Sequence, residues 1–161
     1  MGLLSNDRST WRLAANRTLS RRILVVANEP IAREALYDVV GIRAANVAEI
    51  VVVAPALIGR LGYWTGDDRR SRQDAEERLE FCLESLRESG VEARGNVGDA
   101  DPLQAIEDAL NQFDANEIIV ATHPEGRCNW LAHDIVGRAQ RRFSRPTSRL
   151  AVELDSMVAA A

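Results

Sequence analysis

The stretch VEARGNVGDADPLQAIEDALNQFDANEIIVATHPEG, residues 91–126, decides the fold. Its middle reads as a helix with a marked start. Asp101 stands at the N-cap, Pro102 at the first helical position and Gln104 at the third, the pattern of a capping box. Leu103, Ile106, Ala109, Leu110 and Phe113 then recur at helical spacing. On either side lie apolar runs of strand length, 91–97 and 118–121. A helix between two strands is the crossover that a parallel pair requires, and such crossovers are right-handed.

The same rhythm extends outward in both directions. Runs at 23–27, 50–54 and 147–152 predict three further strands. A first helix opens at Glu29-Pro30 and closes at Gly41, with Ala35, Leu36, Val39 and Val40 inward. A second starts near Asp67-Asp68, stacks Ala75, Leu79, Cys82, Leu83 and Leu86 on one face, and ends at Gly90. A last helix over about 129–142 turns Leu131, Ile135, Val136 and Ala139 inward, before Pro146 introduces the final strand. Five strands and four helices predict an α/β fold, a doubly wound five-stranded parallel sheet covered on both faces. Ligands bind such sheets outside the carboxyl ends of the strands, where strand order reverses. That rule selects the loops at Asn28-Glu29, Ala54-Pro55, Gly98-Asp99 and Thr122 to Gly126.

The chain has 161 residues, enough for one domain with one core. Residues 1–20 read as an N-terminal arm carrying Trp11, 21–153 as the α/β domain and 154–161 as a C-terminal tail. All 20 basic residues are arginine. Without lysine there is no Walker A loop, no Schiff-base lysine and no Ser-x-x-Lys pair. Net charge is −4, with five Arg against one Asp in 1–22, nine Arg against twenty acids in 23–126, and six Arg against three acids in 127–161. An acidic body with short basic ends argues against nucleic acid as the partner. Cys82 and Cys128 form no CxxC, and the two histidines complete no zinc spacing, so no metal is expected. No apolar run approaches the roughly 20 residues that span a bilayer, and the start is too weakly apolar for a signal peptide. A cytoplasmic protein without membrane partners is the expectation.

The order and spacing of four strings add a further reading. ILVVANEP at 23–30, VVVAPAL at 51–57, GDADPLQAIEDAL at 98–110 and EIIVATHPEG at 117–126 resemble a universal stress protein domain across roughly 22–153. The resemblance implies strand order 3-2-1-4-5, a Rossmann-like sheet of the adenine nucleotide alpha-hydrolase kind, with frequent dimerisation through the last strand. In one branch it implies ATP binding without known catalysis. That branch carries an aspartate at the end of the first strand, where this chain has Asn28, and a G-x2-G-x9-G-[ST] loop after the fourth strand. The amide keeps hydrogen-bonding capacity and removes the charge. The glycine loop is missing. Counting back from Pro146, His133-Asp134 falls where Gly-Ser belongs; counting from Gly126, a ten-residue gap leads to Gly137 and then Arg138, while Thr122 replaces the first glycine. An aspartate there repels phosphate by on the order of 1 kcal/mol in water and more near a protein surface.

Other features carry alternatives. Thr122, His123 and Glu125 offer a hydroxyl, an imidazole and a carboxylate for a small-ligand or proton-transfer site, or form a plain turn. Tyr63 and Trp64, in a glycine-rich loop from Gly59 to Gly66, form a flap over a ligand or pack on the body or a second copy. Cys128 is a redox candidate if it sits at a helix start, and Cys82 a small core residue. Arg138, Arg141, Arg142, Arg145 and Arg149 read as a solvated face complementing a helix C-terminus, with anion or RNA binding as the alternative.

The expectation is therefore a non-catalytic, universal-stress-like regulatory or interaction protein. It forms a homodimer through the last strand, contacts an unidentified protein partner, and does not bind ATP in the family manner. The first alternative binds a small adenine nucleotide, ATP or AMP, through Asn28, Val53, Gly98, Thr122, His123 and Gly126. The second is a nucleotide-handling enzyme of the same superfamily, whose His-x-Gly-His and Ser-Gly-Gly-x-[Asp/Ser] strings this chain lacks.

Overall fold

Ile23, Leu24, Val25, Val26 and Ala27 are all wholly buried, which a strand achieves only with both faces covered. They form the centre of β1 (Arg21–Ala27) in the computed structural model, which describes residues 21–28, 31, 35, 47–57, 68–122 and 134–151. The further elements are β2 (Val47–Pro55), α1 (Asp68–Glu88), β3 (Ala93–Gly98), α2 (Pro102–Gln112), β4 (Glu117–Thr122), α3 (Ile135–Phe143) and β5 (Thr147–Ala151). The five strands make one parallel sheet of order β3-β2-β1-β4-β5. Both the α/β class and the order 3-2-1-4-5 are as the sequence and the resemblance imply. The arm, the tail, most of the helix expected at 29–41 and the Tyr63-Trp64 loop lie outside the described residues.

Two cores flank the sheet. Alternation along β1 sends Ile23, Val25 and Ala27 to one side, where Ile31, Ala75, Cys82 and Leu86 meet them. Leu24 and Val26 face the other side, against Leu103, Ala105, Ile106 and Ala109 of α2 and Ile135 and Ala139 of α3. The stripes read from the sequence are thus the buried ones, with Leu79, Leu83, Leu110 and Val136 partly covered at their margins.

The helix ends are built by local chemistry. After α1, Gly90 takes φ +77°, its N–H donates to the Arg87 carbonyl at 2.9 Å, and the Val91 N–H reaches the Leu86 carbonyl at 2.9 Å. This is a Schellman stop, and it delays β3 until Ala93, two residues later than expected. At the start of α2, Asp101 Oδ1 accepts from the Leu103 N–H at 2.9 Å. The second half of the expected capping box does not form. Gln104 Nε2 donates instead to Asp108 Oδ1 at 2.9 Å, one turn on, because the Asp101 N–H is already given to Asp99 Oδ1 at 2.9 Å.

The amino end of the sheet is a charged floor. Arg21 pairs with the buried Glu117, and Glu49 receives Arg94 at 2.8 Å and Arg22 at 3.7 Å. Arg22 also stacks 4.6 Å from the ring centroid of Phe113, a cation–π contact on a buried ring. The opposite, carboxyl end is where ligand chemistry belongs.

Candidate functional site

In order β3-β2-β1-β4-β5 the chain steps one way from β1 and the other way to β4, so the switch point lies between β1 and β4. Register brings Ala27 beside Ala121, which makes Asn28 and Thr122 neighbours on the rim. Alternation puts both on the face of α2 and α3, since Val26 and Val120 point there.

Asn28 is 8% exposed, and its Oδ1 is buried with no hydrogen-bond partner among the described residues. Its backbone is held from the opposite face. Arg78 of α1 donates through Nη1 to the carbonyls of Ala27 (3.0 Å) and Asn28 (2.9 Å), and through Nη2 to that of Pro55 (2.8 Å). One guanidinium thereby ties the carboxyl ends of β1 and β2 together, and its fork geometry suits adjacent carbonyls. The sequence reading missed it. The signal was an arginine on the inward stripe of α1, three residues after Ala75 and four before Cys82.

Thr122 is 4% exposed, and its Oγ1 accepts from Arg149 Nε at 2.6 Å. Arg149 stands opposite Val120 in the β4–β5 register and reaches across one strand to the rim. The sequence reading placed it in a group of arginines and did not single it out. The other arginines of that group largely meet acids: Arg141 with Asp134 at 2.7 Å, Arg142 with Glu107, and Arg145 with Asp114 at 3.0 Å. Asp134 makes no side-chain cap bond to α3.

The remaining candidates are spread out. Val53 lies within the sheet, beside Val26 of β1 and Asn96 of β3, and β2 continues two residues past it to Pro55. Gly98 ends β3, and a Cβ there would sit 2.7 Å from Ala105 Cβ and 2.8 Å from Val53 Cγ2. Its missing side chain lets α2 approach the sheet, a packing reason for glycine. Gly98 also borders a depression of about 470 Å³ with Arg72, Asn96, Asp99 and Asp108 along the β3 edge, two strands from β1. His123 and Gly126, with Cys128 and His133, lie outside the described residues. The structure therefore joins Asn28 and Thr122 and separates Gly98 from them.

Cys82 is buried against the Ile31 segment, and burial pushes its thiol from 9.0 up to about 12, partly offset by a backbone hydrogen bond from Ile31. It is a core residue. Among the described residues, no group of three or more His, Cys, Asp or Glu is placed to hold a metal ion, and no helix is long and apolar enough to cross a membrane.

No protein-family model matches the chain, and neither does any curated sequence. Solved structures do. A universal stress protein from Archaeoglobus fulgidus aligns with TM-score 0.57 at 18% identity, over 86% of this chain and 98% of that one. The Archaeoglobus fulgidus universal stress protein in complex with dAMP aligns with TM-score 0.57 at 20% identity, over 82% and 98%. A universal stress family protein from Arabidopsis thaliana with AMP bound gives TM-score 0.55 at 12% identity, over 84% and 94%. The fold of this chain is that of the universal stress proteins.

Proposed function

We propose that this chain is a universal-stress-like regulatory protein that catalyses no reaction and takes a small adenine ligand, adenosine or its monophosphate, at the rim between β1 and β4. The observation that carries this is the orphaned Oδ1 of Asn28. A buried acceptor without a donor costs about 1–3 kcal/mol, and a ligand N–H or O–H removes that cost. An adenine exocyclic amine or a ribose hydroxyl supplies such a donor. The dAMP and AMP complexes of two proteins with this fold favour the adenine class.

One feature supports binding over catalysis. The described groups in contact around Asn28 and Thr122 are an amide, a hydroxyl, two guanidiniums and backbone carbonyls. None of these exchanges a proton readily near neutral pH. The chain also lacks the glycine loop that receives a triphosphate, so we assign the preference to adenosine and AMP over ATP. We further propose a cytoplasmic homodimer that pairs through β5, an edge strand of the sheet, with binding communicated to a protein partner.

Isothermal titration of the wild-type chain with adenosine, AMP and ATP tests the reading. Adenosine and AMP bind and ATP binds more weakly; tight ATP binding, or no binding by all three, overturns it. Light scattering at micromolar concentration tests the dimer, which a purely monomeric mass contradicts.

A further inference from the structure

We propose that the open edge of β3 is the docking surface for a protein partner, which adds to the sheet as an extended segment bearing a basic side chain. Among the described residues β3 is an outer strand, paired with β2 alone. The Ala56 N–H donates to the Gly98 carbonyl at 3.2 Å, so Gly98 turns its backbone groups toward β2. Alternation along a parallel ladder then sends those of Gly95 and Val97 outward. Asn96 marks the same direction: its Nδ2 donates to the Val97 carbonyl at 3.2 Å, in the place that a partner strand's N–H takes. Sheet edges are commonly blunted by a projecting charge or a proline. β3 has no proline, and its one charged side chain, Arg94, is folded back onto Glu49 of β2 at 2.8 Å. The uncovered backbone floors the depression of about 470 Å³, between Arg72 of α1 and Asp108 of α2. From Asn96 to Asp99 that floor runs roughly 10 Å, the length of a short extended peptide.

Charge decides the occupant. Among the described residues, Asp99 and Asp108 accept from neutral donors only, the Asp101 N–H and Gln104 Nε2, each at 2.9 Å. Arg72 already meets Glu76 at 3.8 Å. The groove is therefore negative, and a segment that lays an arginine or lysine over Asp99 and Asp108 complements it. A second copy does not, because it brings the same two acids while its own Arg94 is held on Glu49. Backbone pairing supplies the affinity of such an added strand, and the side chain over the acids supplies its specificity. This surface lies two strands from β1 and does not depend on the adenine reading.

Heteronuclear NMR of the full chain, titrated with a blocked hexapeptide of alternating threonine and valine around one arginine, tests this. The Gly95 and Val97 amides exchange quickly in the free protein; on titration they shift and become protected. The same peptide with glutamate for the arginine binds about tenfold more weakly, and Asp108→Arg reverses that order. N-methylation of one alternate set of peptide amides abolishes binding, and of the other set leaves it, since only one set faces the edge. Val97→Pro, at a position where an edge strand accepts proline, removes an outward N–H and weakens the arginine peptide at least about tenfold. If that variant does not fold, the N-methyl pair and Asp108→Arg decide the matter. No shift of Gly95 and Val97 at millimolar peptide overturns the proposal, and so does equal binding of the two N-methylated peptides, the mark of a purely electrostatic contact. Protection of both amides before peptide is added also overturns it: the edge is then covered by a second copy where the protection grows with protein concentration, and by the chain itself where it does not.

Discussion

Arg78→Met isolates the clamp that positions Asn28. Methionine keeps the apolar stem packed along α1 and deletes the guanidinium. Three strand-end carbonyls then lose a donor: Ala27 at 3.0 Å, Asn28 at 2.9 Å and Pro55 at 2.8 Å. Pro55 loses least, because its oxygen also accepts from the Leu57 N–H at 2.9 Å. The carbonyls of Ala27 and Asn28 carry most of the cost. Each is part-buried, so water replaces the lost bond incompletely, and about 1 kcal/mol apiece gives a destabilisation of about 2 kcal/mol. With a urea dependence of about 2 kcal/mol per molar, the unfolding midpoint falls by about 1 M. Urea titration followed by far-ultraviolet circular dichroism measures this directly. A midpoint within about 0.2 M of wild type, roughly 0.4 kcal/mol on the same slope, refutes the clamp and means that something else holds the rim.

Gly98→Ala places a methyl 2.7 Å from Ala105 Cβ and 2.8 Å from Val53 Cγ2, both fixed in the core; thermal unfolding should report a loss of about 1–3 kcal/mol. Asp101→Ala removes the 2.9 Å bond to the Leu103 N–H and lowers stability by about 1 kcal/mol in the same assay. Cys82 keeps its proton in the folded state up to about 12, whereas the unfolded thiol releases it near 9.0. The native state then binds more protons than the unfolded one in that window, so stability falls as pH rises from about 9 to about 12. Urea midpoints compared with Cys82→Ala should show a steeper alkaline decline in wild type, and equal slopes contradict the shift.

The fold was legible because each described element carries its own local signal. Asp101-Pro102 and Gly90 mark helix boundaries, Ala75, Cys82 and Leu86 mark a buried stripe, and the runs at 23–27 and 118–121 are apolar throughout. Strand order came from the resemblance and not from periodicity, since no local pattern says which strand pairs with which. Of the site, Asn28 and Thr122 were legible because strand ends at a switch point are ligand positions. Arg78 and Arg149 were not, because each acts across the sheet: one from a helix to two strand ends, the other from β5 to β4. At Gly98 the structure adds a packing reason for glycine that its place at a strand end does not reveal, the close approach of Ala105 and Val53.

The orphaned acceptor at Asn28 predicts opposite signs for stability and binding in one substitution. Asn28→Leu keeps the number and branching of the side-chain heavy atoms and removes the unpaired oxygen, so the ligand-free protein gains about 1 kcal/mol, a Tm rise of roughly 2–4 °C for a chain of this size. The same change deletes the acceptor that a ligand needs. Thermal unfolding of wild type and Asn28→Leu, each with and without adenosine, reads both effects together: the variant melts higher alone and no longer responds to adenosine. A variant that melts lower than wild type and is still stabilised by adenosine contradicts the account.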